Sequence, residues 1–254
     1  MNHEFLSLVR RLEVAQGLQN ERFNRAAGGR SLPVGGGFAH WRGDGHPLNQ
    51  ALGLVDPIAA PDLAAVEGFL GSPTVLELSP AADPALWALL AKRGYRLHQF
   101  QHLLTRVLPV ESPMGTTADV RIASVDESDL FSRVVAAGFL ERDDWRTVEP
   151  PFATRLDIPQ AWGFLVFMGD EPAGGGVLGA VDGVALLSGD GVLPRFRGRG
   201  LQKALIRERL RFASEQGCGM ACASTLPSTP SQRAYEACGF RVAYPKVEML
   251  KDEA

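Results

Sequence analysis

The sequence predicts an α/β fold with a mixed sheet, and three observations in its second half carry that prediction. Apolar runs of strand length alternate there with helical patterns. Glycine, proline and small polar residues mark the boundaries between them. A glycine–arginine turn stands between one strand and the longest helix, as in a layered α/β arrangement.

The elements follow in order. "VRIAS" reads as a short strand, and "DESDL" opens a helical stretch that runs through Phe139. "WGFLVFMG" (162–169) is a continuous apolar run of strand length, and "EPAGG" turns the chain. "GVLGAVDG" is a second, glycine-weakened strand, and "VALLSGDGVL" (Val184 to Leu193) a third. A long helix runs from Gly200 to about Glu215, and "MACAST" (Met220 to Thr225) is a fourth strand. A short helix and the extended "FRVAYPKVEML" close the chain. The order is β-α-β-β-β-α-β-α-β.

In the long helix, Leu201, Ala204, Leu205 and Phe212 form one apolar row and Ile206, Leu210 and Ala213 a second. Two rows suit a helix packed on a sheet and covered by a neighbour. Its first turn carries Arg199, Gln202 and Lys203 where acids are usual. In "STPSQRAYEACGF", Thr229 is the expected N-cap, Pro230 the first helical residue and Gln232 the capping-box partner. Gly239 fits the left-handed position after the helix, followed by Phe240. Tyr235 then sits mid-helix.

Composition limits the function. The 254 residues, 45% hydrophobic, suffice for one large or two ordinary domains, and a net charge of −3 excludes a generic polyanion binder. No apolar run of 18 residues points to a membrane span, and the charged N-terminus lacks a signal-peptide core. Three cysteines, Cys218, Cys222 and Cys238, make a disulfide framework unlike the expected state, which is reduced buried thiols in the cytoplasm. All five histidines precede residue 103, so no Ser-His-Asp or Cys-His site is built wholly from the second half. His98 and His102 in "HQFQH" lack further ligands, and no metal is expected.

"PRFRGRGLQKAL" (Pro194 to Leu205) joins the most flexible residue type to the most basic at one turn. A helix N-terminus offers unpaired N–H groups and partial positive charge. Gly198 and Gly200 let a phosphate approach the backbone, and Arg195, Arg197 and Arg199 offer charge-assisted hydrogen bonds. The loop matches neither the Walker pattern nor the dinucleotide fingerprint.

Arg195 to Gly200 does match R/Q-x-x-G-x-G/A, and "YEACGF" matches Y-E-x-x-G-F. On these motifs and the strand order, residues 119–254 resemble the GNAT N-acetyltransferase superfamily. The resemblance implies the acyl-CoA N-acyltransferase fold and acetyl-CoA as cosubstrate. It implies that Val192 and Leu193 end the strand that pairs with the pantetheine arm. It implies that the amides from Arg195 to Gln202, Leu201 included, hold the diphosphate. Ser231 stands near where the family often has a cofactor-contacting asparagine. Tyr235 matches the family's general acid, and a phenol with a pKa of about 10 suits a departing thiolate; the other reading of Tyr235 is a core tyrosine.

Asp190 is the nearest carboxylate for a general base, or else a turn residue in "SGDG". Glu141, Asp143 and Asp144 of "ERDDW" are further candidates, or a solvated helix end, and a water chain is a third route. The expected acceptor is a primary amine of a small molecule, attacking directly in a ternary complex. Neither nucleic acid nor membrane is an expected partner, and the protein is expected as a monomer or homodimer. A non-catalytic acyl-CoA-binding regulatory module is the competing reading.

The first half echoes the second without its loop. "LWALLAKRGYRL" parallels "QRAYEACGFRV", with Gly94 on Gly239 and Leu90 on Tyr235, and "PTVLELS" parallels "MACAST". The chain is therefore expected as two tandem lobes: a degenerate one over 1–107, a linker over 108–118 and a catalytic domain over 119–254.

Overall fold

The computed structural model describes residues 3–109, 118–150 and 156–252. In chain order its elements are α1 (His3–Ala26), β1 (Arg30–Val34), β2 (Gly37–Trp41), β3 (Gln50–Leu52), α2 (Ala60–Leu70), β4 (Thr74–Leu78), α3 (Pro84–Lys92) and β5 (Arg96–Val107). Then follow β6 (Asp119–Ile122), α4 (Ser128–Phe139), β7 (Ala161–Met168), β8 (Glu171–Val181), β9 (Val184–Val192), α5 (Leu201–Glu215), β10 (Met220–Thr225), α6 (Pro230–Ala237) and β11 (Arg241–Lys251). The second half has the expected element order.

The chain forms two compact units. The first takes Met1–Leu103, Thr225–Pro227 and Val242–Ala254; the second takes Leu104–Ser224 and Ser228–Arg241. This differs from a single cut at 108–118, a stretch of which 110–117 lies outside the described residues. The reason is pairing. β11 lies antiparallel beside β4, with Val247 opposite Leu78 and Leu250 opposite Val75. The last strand in sequence therefore completes the first unit.

In the first unit the strands run β1-β2-β3-β4-β11-β5, with β3 and β4 parallel. Leu63, Val66, Leu76, Leu86 and Leu90 form its core. Alternation along β11 buries Tyr244, Lys246, Glu248 and Leu250. Lys246 is 1% exposed and pairs with Glu13 of α1 at 3.1 Å and with Glu77 of β4. It also donates to Gln16 Oε1 at 2.7 Å, and the Tyr244 hydroxyl donates to Glu13 at 2.7 Å. Burial alone depresses an ammonium pKa. Here the Glu13 and Glu77 charges outweigh burial and hold Lys246 above the ordinary lysine value. Burial pushes the Glu13 carboxyl up, against the pull of Lys246.

His40 on β2 gives this unit an acid sensitivity. The residue is 3% exposed, its Nε2 has no hydrogen-bond partner, and burial followed by the nearby Arg42 charge pulls its pKa down to about 4. A depressed histidine contributes stability above its unfolded value of about 6.5 and loses it as pH falls toward the folded value. We expect this group to remove about 3 kcal/mol between pH 6.5 and 4. Urea unfolding at several pH values checks it: His40→Gln should flatten that part of the acid slope, and an unchanged slope would assign the loss elsewhere.

In the second unit the order is β10-β9-β8-β7-β6. β9 and β10 are parallel; the others pair antiparallel. Phe164, Leu178, Leu205, Ile206 and Leu210 lie in its core. The glycines of β8 and β9 allow close approach. A Cβ on Gly191 would stand 2.5 Å from the Val135 carbonyl oxygen of α4, and one on Gly174 2.5 Å from the Gly191 carbonyl oxygen. Glycine here shapes a long strand of 11 residues and does not break it.

The two β-α-β segments match in detail. α3 and α6 both begin with proline and lead to glycines at φ +81° (Gly94) and +83° (Gly239). The Tyr95 amide donates to the Leu90 carbonyl and the Phe240 amide to the Tyr235 carbonyl, each at 3.1 Å. These are the same helix-closing bonds at the aligned positions. Thr229 caps α6 by accepting from the Gln232 amide at 3.3 Å, as expected. The Gln232 side chain accepts from the Ser228 amide at 2.8 Å, one residue earlier than a capping box places it.

Candidate active site

Two parallel strands part to make the site. β9 and β10 pair from Val184 opposite Met220 to Leu186 opposite Cys222, and β9 continues to Val192 beyond that register. Ligands in open α/β sheets bind outside the carboxyl ends of such strands. Within β9 the pairing with β8 shifts: Gly175 faces Gly191, and Val177 faces Ser188. Gly189 and Asp190 thus oppose the single residue Gly176, with Gly189 at φ +66°. This is a β-bulge, and it turns the Asp190 side chain inward.

Asp190 meets two buried partners there. The Tyr235 hydroxyl donates to its Oδ2 at 2.5 Å, and Arg209 of α5 forms an ion pair through its Oδ1. Tyr235 is 2% exposed and Arg209 fully buried. Burial, then the Asp190 charge, raise the Tyr235 pKa well above 10, while the Arg209 charge acts the other way. Tyr235 therefore keeps its proton at neutral pH. Its ring is fixed by an edge contact with Phe240, centroids 5.0 Å apart.

β9 leads into the glycine–arginine turn. Leu193 donates its amide to Ala173 at 2.9 Å, and one 3-10 turn follows over Pro194–Phe196. Gly198 and Gly200 take φ values of +76° and +79°, which disfavour any side chain. A Cβ at either position would have nothing within 4 Å, so both glycines face open space. The first-turn amides of α5, Leu201 and Gln202 among them, lack intrahelical acceptors. Open space, paired left-handed glycines and unpaired amides fit the diphosphate of a CoA thioester.

The three arginines divide their work. The Arg195 amide donates to Asp143 Oδ1 at 2.7 Å, and its guanidinium reaches the Asp143 carbonyl and Glu171. Arg197 donates to the Val192 carbonyl at 3.1 Å, Glu141 at 2.9 Å and the Gly138 carbonyl at 2.8 Å. These two side chains fasten the turn. Arg199 is exposed and rests over the Phe196 ring, with its guanidinium 5.7 Å from the centroid. The "ERDDW" acids are occupied too: Glu141 and Asp143 by the turn, Asp144 by the Arg146 amide at 3.2 Å. Gln202 donates to the Ser231 hydroxyl at 3.1 Å, joining two residues expected at the cofactor.

Sequence reading missed Arg209. Leu201, Leu205 and Arg209 stand four apart, so the arginine continues a buried row, and that spacing was the available signal. The structure also has a cavity of about 320 Å³ in the first unit, lined by Leu6, Arg10, Val55, Pro57 and Pro80–Pro84. It does not repeat the phosphate cradle. The helix nearby in sequence, α2, opens with Pro61 and Asp62, and the Asp62 carboxylate takes the Ala59 amide at 3.1 Å. Among the described residues no group of three or more His, Cys, Asp or Glu is placed to hold a metal ion, and no helix is long and apolar enough to cross a membrane.

The mixed sheet parts beside a helix N-terminus, with a phenol at the parting, and this fold is similar to that of GNAT acyltransferase structures. Residues 132–240 match the model of the acetyltransferase (GNAT) family. The chain thus carries a GNAT-family acetyltransferase domain. The structure is similar to a GCN5-related N-acetyltransferase from Kribbella flavida, with 17% identity, coverage of 91% of this chain and 96% of that one, and a TM-score of 0.61. It is similar to a GCN5-related N-acetyltransferase from Sphaerobacter thermophilus at 18% identity, 76% and 67% coverage and a TM-score of 0.53. A tandem GNAT protein from the clavulanic acid biosynthesis pathway matches at 16% identity, 87% and 81% coverage and a TM-score of 0.54. No curated protein matches the chain in sequence.

One substitution reads the turn directly. Gly200→Val puts a branched side chain at a left-handed position facing open space. CoA affinity should fall at least tenfold, about 1.4 kcal/mol, with circular dichroism unchanged. Calorimetry returning the wild-type affinity would make the turn a plain connection.

Proposed function

We propose that the protein transfers an acetyl group from acetyl-CoA to the primary amine of a small molecule, by direct attack in a ternary complex. The observation that carries this reading is the Tyr235 hydroxyl, bonded at 2.5 Å to Asp190 on the reach of β9 that runs beyond its pairing with β10 into the glycine turn.

Acetyl-CoA supplies an activated thioester carbonyl when bound. The amides from Gly198 to Gln202 hold its diphosphate, with Arg199 adding charge, and the backbone at Val192 and Leu193 lines its arm. The neutral amine forms the new C–N bond as the C–S bond breaks. The amine's surplus proton leaves to water, and the Tyr235 proton goes to sulfur. Rotation about the Tyr235 Cζ–Oη bond redirects that proton while the ring stays packed. Solvent then returns a proton to Tyr235. Both Asp190 oxygens are engaged, which favours Asp190 as the group that orients Tyr235 over Asp190 as a free base.

A small acceptor with an apolar body suits the neighbouring surface. Phe139 and Leu140 are 61% and 53% exposed, and they follow Gly138, whose carbonyl Arg197 of the turn binds. The test is thiol release from acetyl-CoA against panels of small amines and of peptides. Turnover with small amines supports the reading. Turnover with peptides alone would move the acceptor class, and tight CoA binding with no turnover would make the domain a regulatory module.

A further inference from the structure

We infer that Arg209 is a positioning residue for the acetyl transfer: it keeps Asp190 an anionic acceptor, and Asp190 in turn aims the Tyr235 hydroxyl. The inference rests on the acid role proposed above for Tyr235.

The geometry assigns the three groups different jobs. Arg209 is the largest fully buried side chain among the described residues. It lies on α5, about two turns beyond the first-turn amides. Its guanidinium pairs with Asp190, and its Nη1 donates to the Val177 carbonyl at 2.9 Å and the Ser188 carbonyl at 3.3 Å. Its Nε donates to the Leu205 carbonyl at 3.1 Å. The guanidinium therefore fills the bulge between β8 and β9. Gly176 makes the room: a Cβ there would stand 2.7 Å from Asp190 Oδ1 and 2.8 Å from Arg209 Nη1.

Charge explains why an arginine is needed. A carboxylate this deep stays ionised only beside a buried countercharge. Among the described residues, the ionisable groups bonded to Asp190 are Arg209 from α5 and Tyr235 from α6. α4 presents Val135 and Gly138 to that stretch of β9, and β8 presents Gly176 and Val177; none of these side chains titrates. Without Arg209, the buried Asp190 is left with no countercharge, which favours its neutral form. A carboxylic acid there donates a hydrogen bond where the carboxylate accepted one, so the Tyr235 hydroxyl loses its aim.

The test has an arm that needs neither cosubstrate nor acceptor. At pH 7, infrared difference spectra of Arg209→Met should contain a protonated-carboxyl stretch. Wild type and the double variant Arg209→Met/Asp190→Asn should lack it. Its absence from Arg209→Met would overturn the inference. In turnover, Arg209→Met should lower kcat at least tenfold with the CoA Kd within about twofold. The residual kcat should rise with pH as Asp190 ionises, a trend that a purely structural loss does not produce. Arg209→Lys keeps a cation and should show no protonated carboxyl and a smaller kcat loss. If Arg209→Met does not fold, Gly176→Ala serves: it crowds the pair with every charge retained. A wild-type kcat for Gly176→Ala would overturn the inference. Should wild type acetylate no amine while the infrared bands appear as expected, the proposed function fails and the charge-holding role of Arg209 stands.

Discussion

Lys246→Met should destabilise the first compact unit by about 3–5 kcal/mol, the cost typical of breaking a buried ion pair from one side. Methionine keeps most of the side-chain volume, so the loss reads charge and not packing. Glu13 and Glu77 would be left facing each other with no countercharge. A mutant that also carries Glu13→Gln and Glu77→Gln should recover most of the loss, because no stranded carboxylate remains.

The pH dependence separates this from a cavity effect. Stranded carboxylates have raised folded pKa values, so the native state of Lys246→Met binds more protons than the unfolded chain. Its deficit should therefore shrink as pH falls from the neutral range toward about 4.3, the ordinary glutamate value, and level off below it. In wild type the folded Lys246 value is raised. Its contribution is complete below the unfolded lysine value of about 10.4 and disappears as pH rises through the higher folded value. Urea unfolding across pH reads both limbs. A uniform deficit at every pH would assign the loss to packing.

Tyr235→Phe should lower turnover at least tenfold: a positioned general acid typically supplies about 10²–10⁴-fold, of which water replaces a part. The phenyl ring keeps its burial and its edge contact with Phe240. Only the hydroxyl is lost, and with it the proton meant for sulfur. CoA affinity should stay within about twofold, since charge on sulfur develops only toward the transition state. Asp190 loses a hydrogen bond but keeps Arg209, so the stability change should be about 1–3 kcal/mol. Turnover numbers and CoA dissociation constants for the two proteins settle the matter. Equal turnover would return Tyr235 to the role of a core residue.

The helix punctuation, the glycine turn and the β-α-β echo were legible in the sequence because each is local. Thr229, Pro230 and Gly239 act through atoms within a few residues. Left-handed φ at Gly198 and Gly200 is a property of residues without a Cβ. Spacing along α5 likewise marked its buried rows. It did not say what a basic residue in such a row would meet, because Asp190 lies 19 positions earlier, on a bulge that only strand pairing creates.

The division into units was hidden for the same physical reason. Period-two alternation in β11 separates two faces but names no partner strand. Tertiary pairing alone sets β11 against β4, and it alone brings Glu13, Glu77 and Lys246 together from opposite ends of the chain. A buried charge is stable only beside its countercharge, and that proximity belongs to the fold, not to any stretch of sequence.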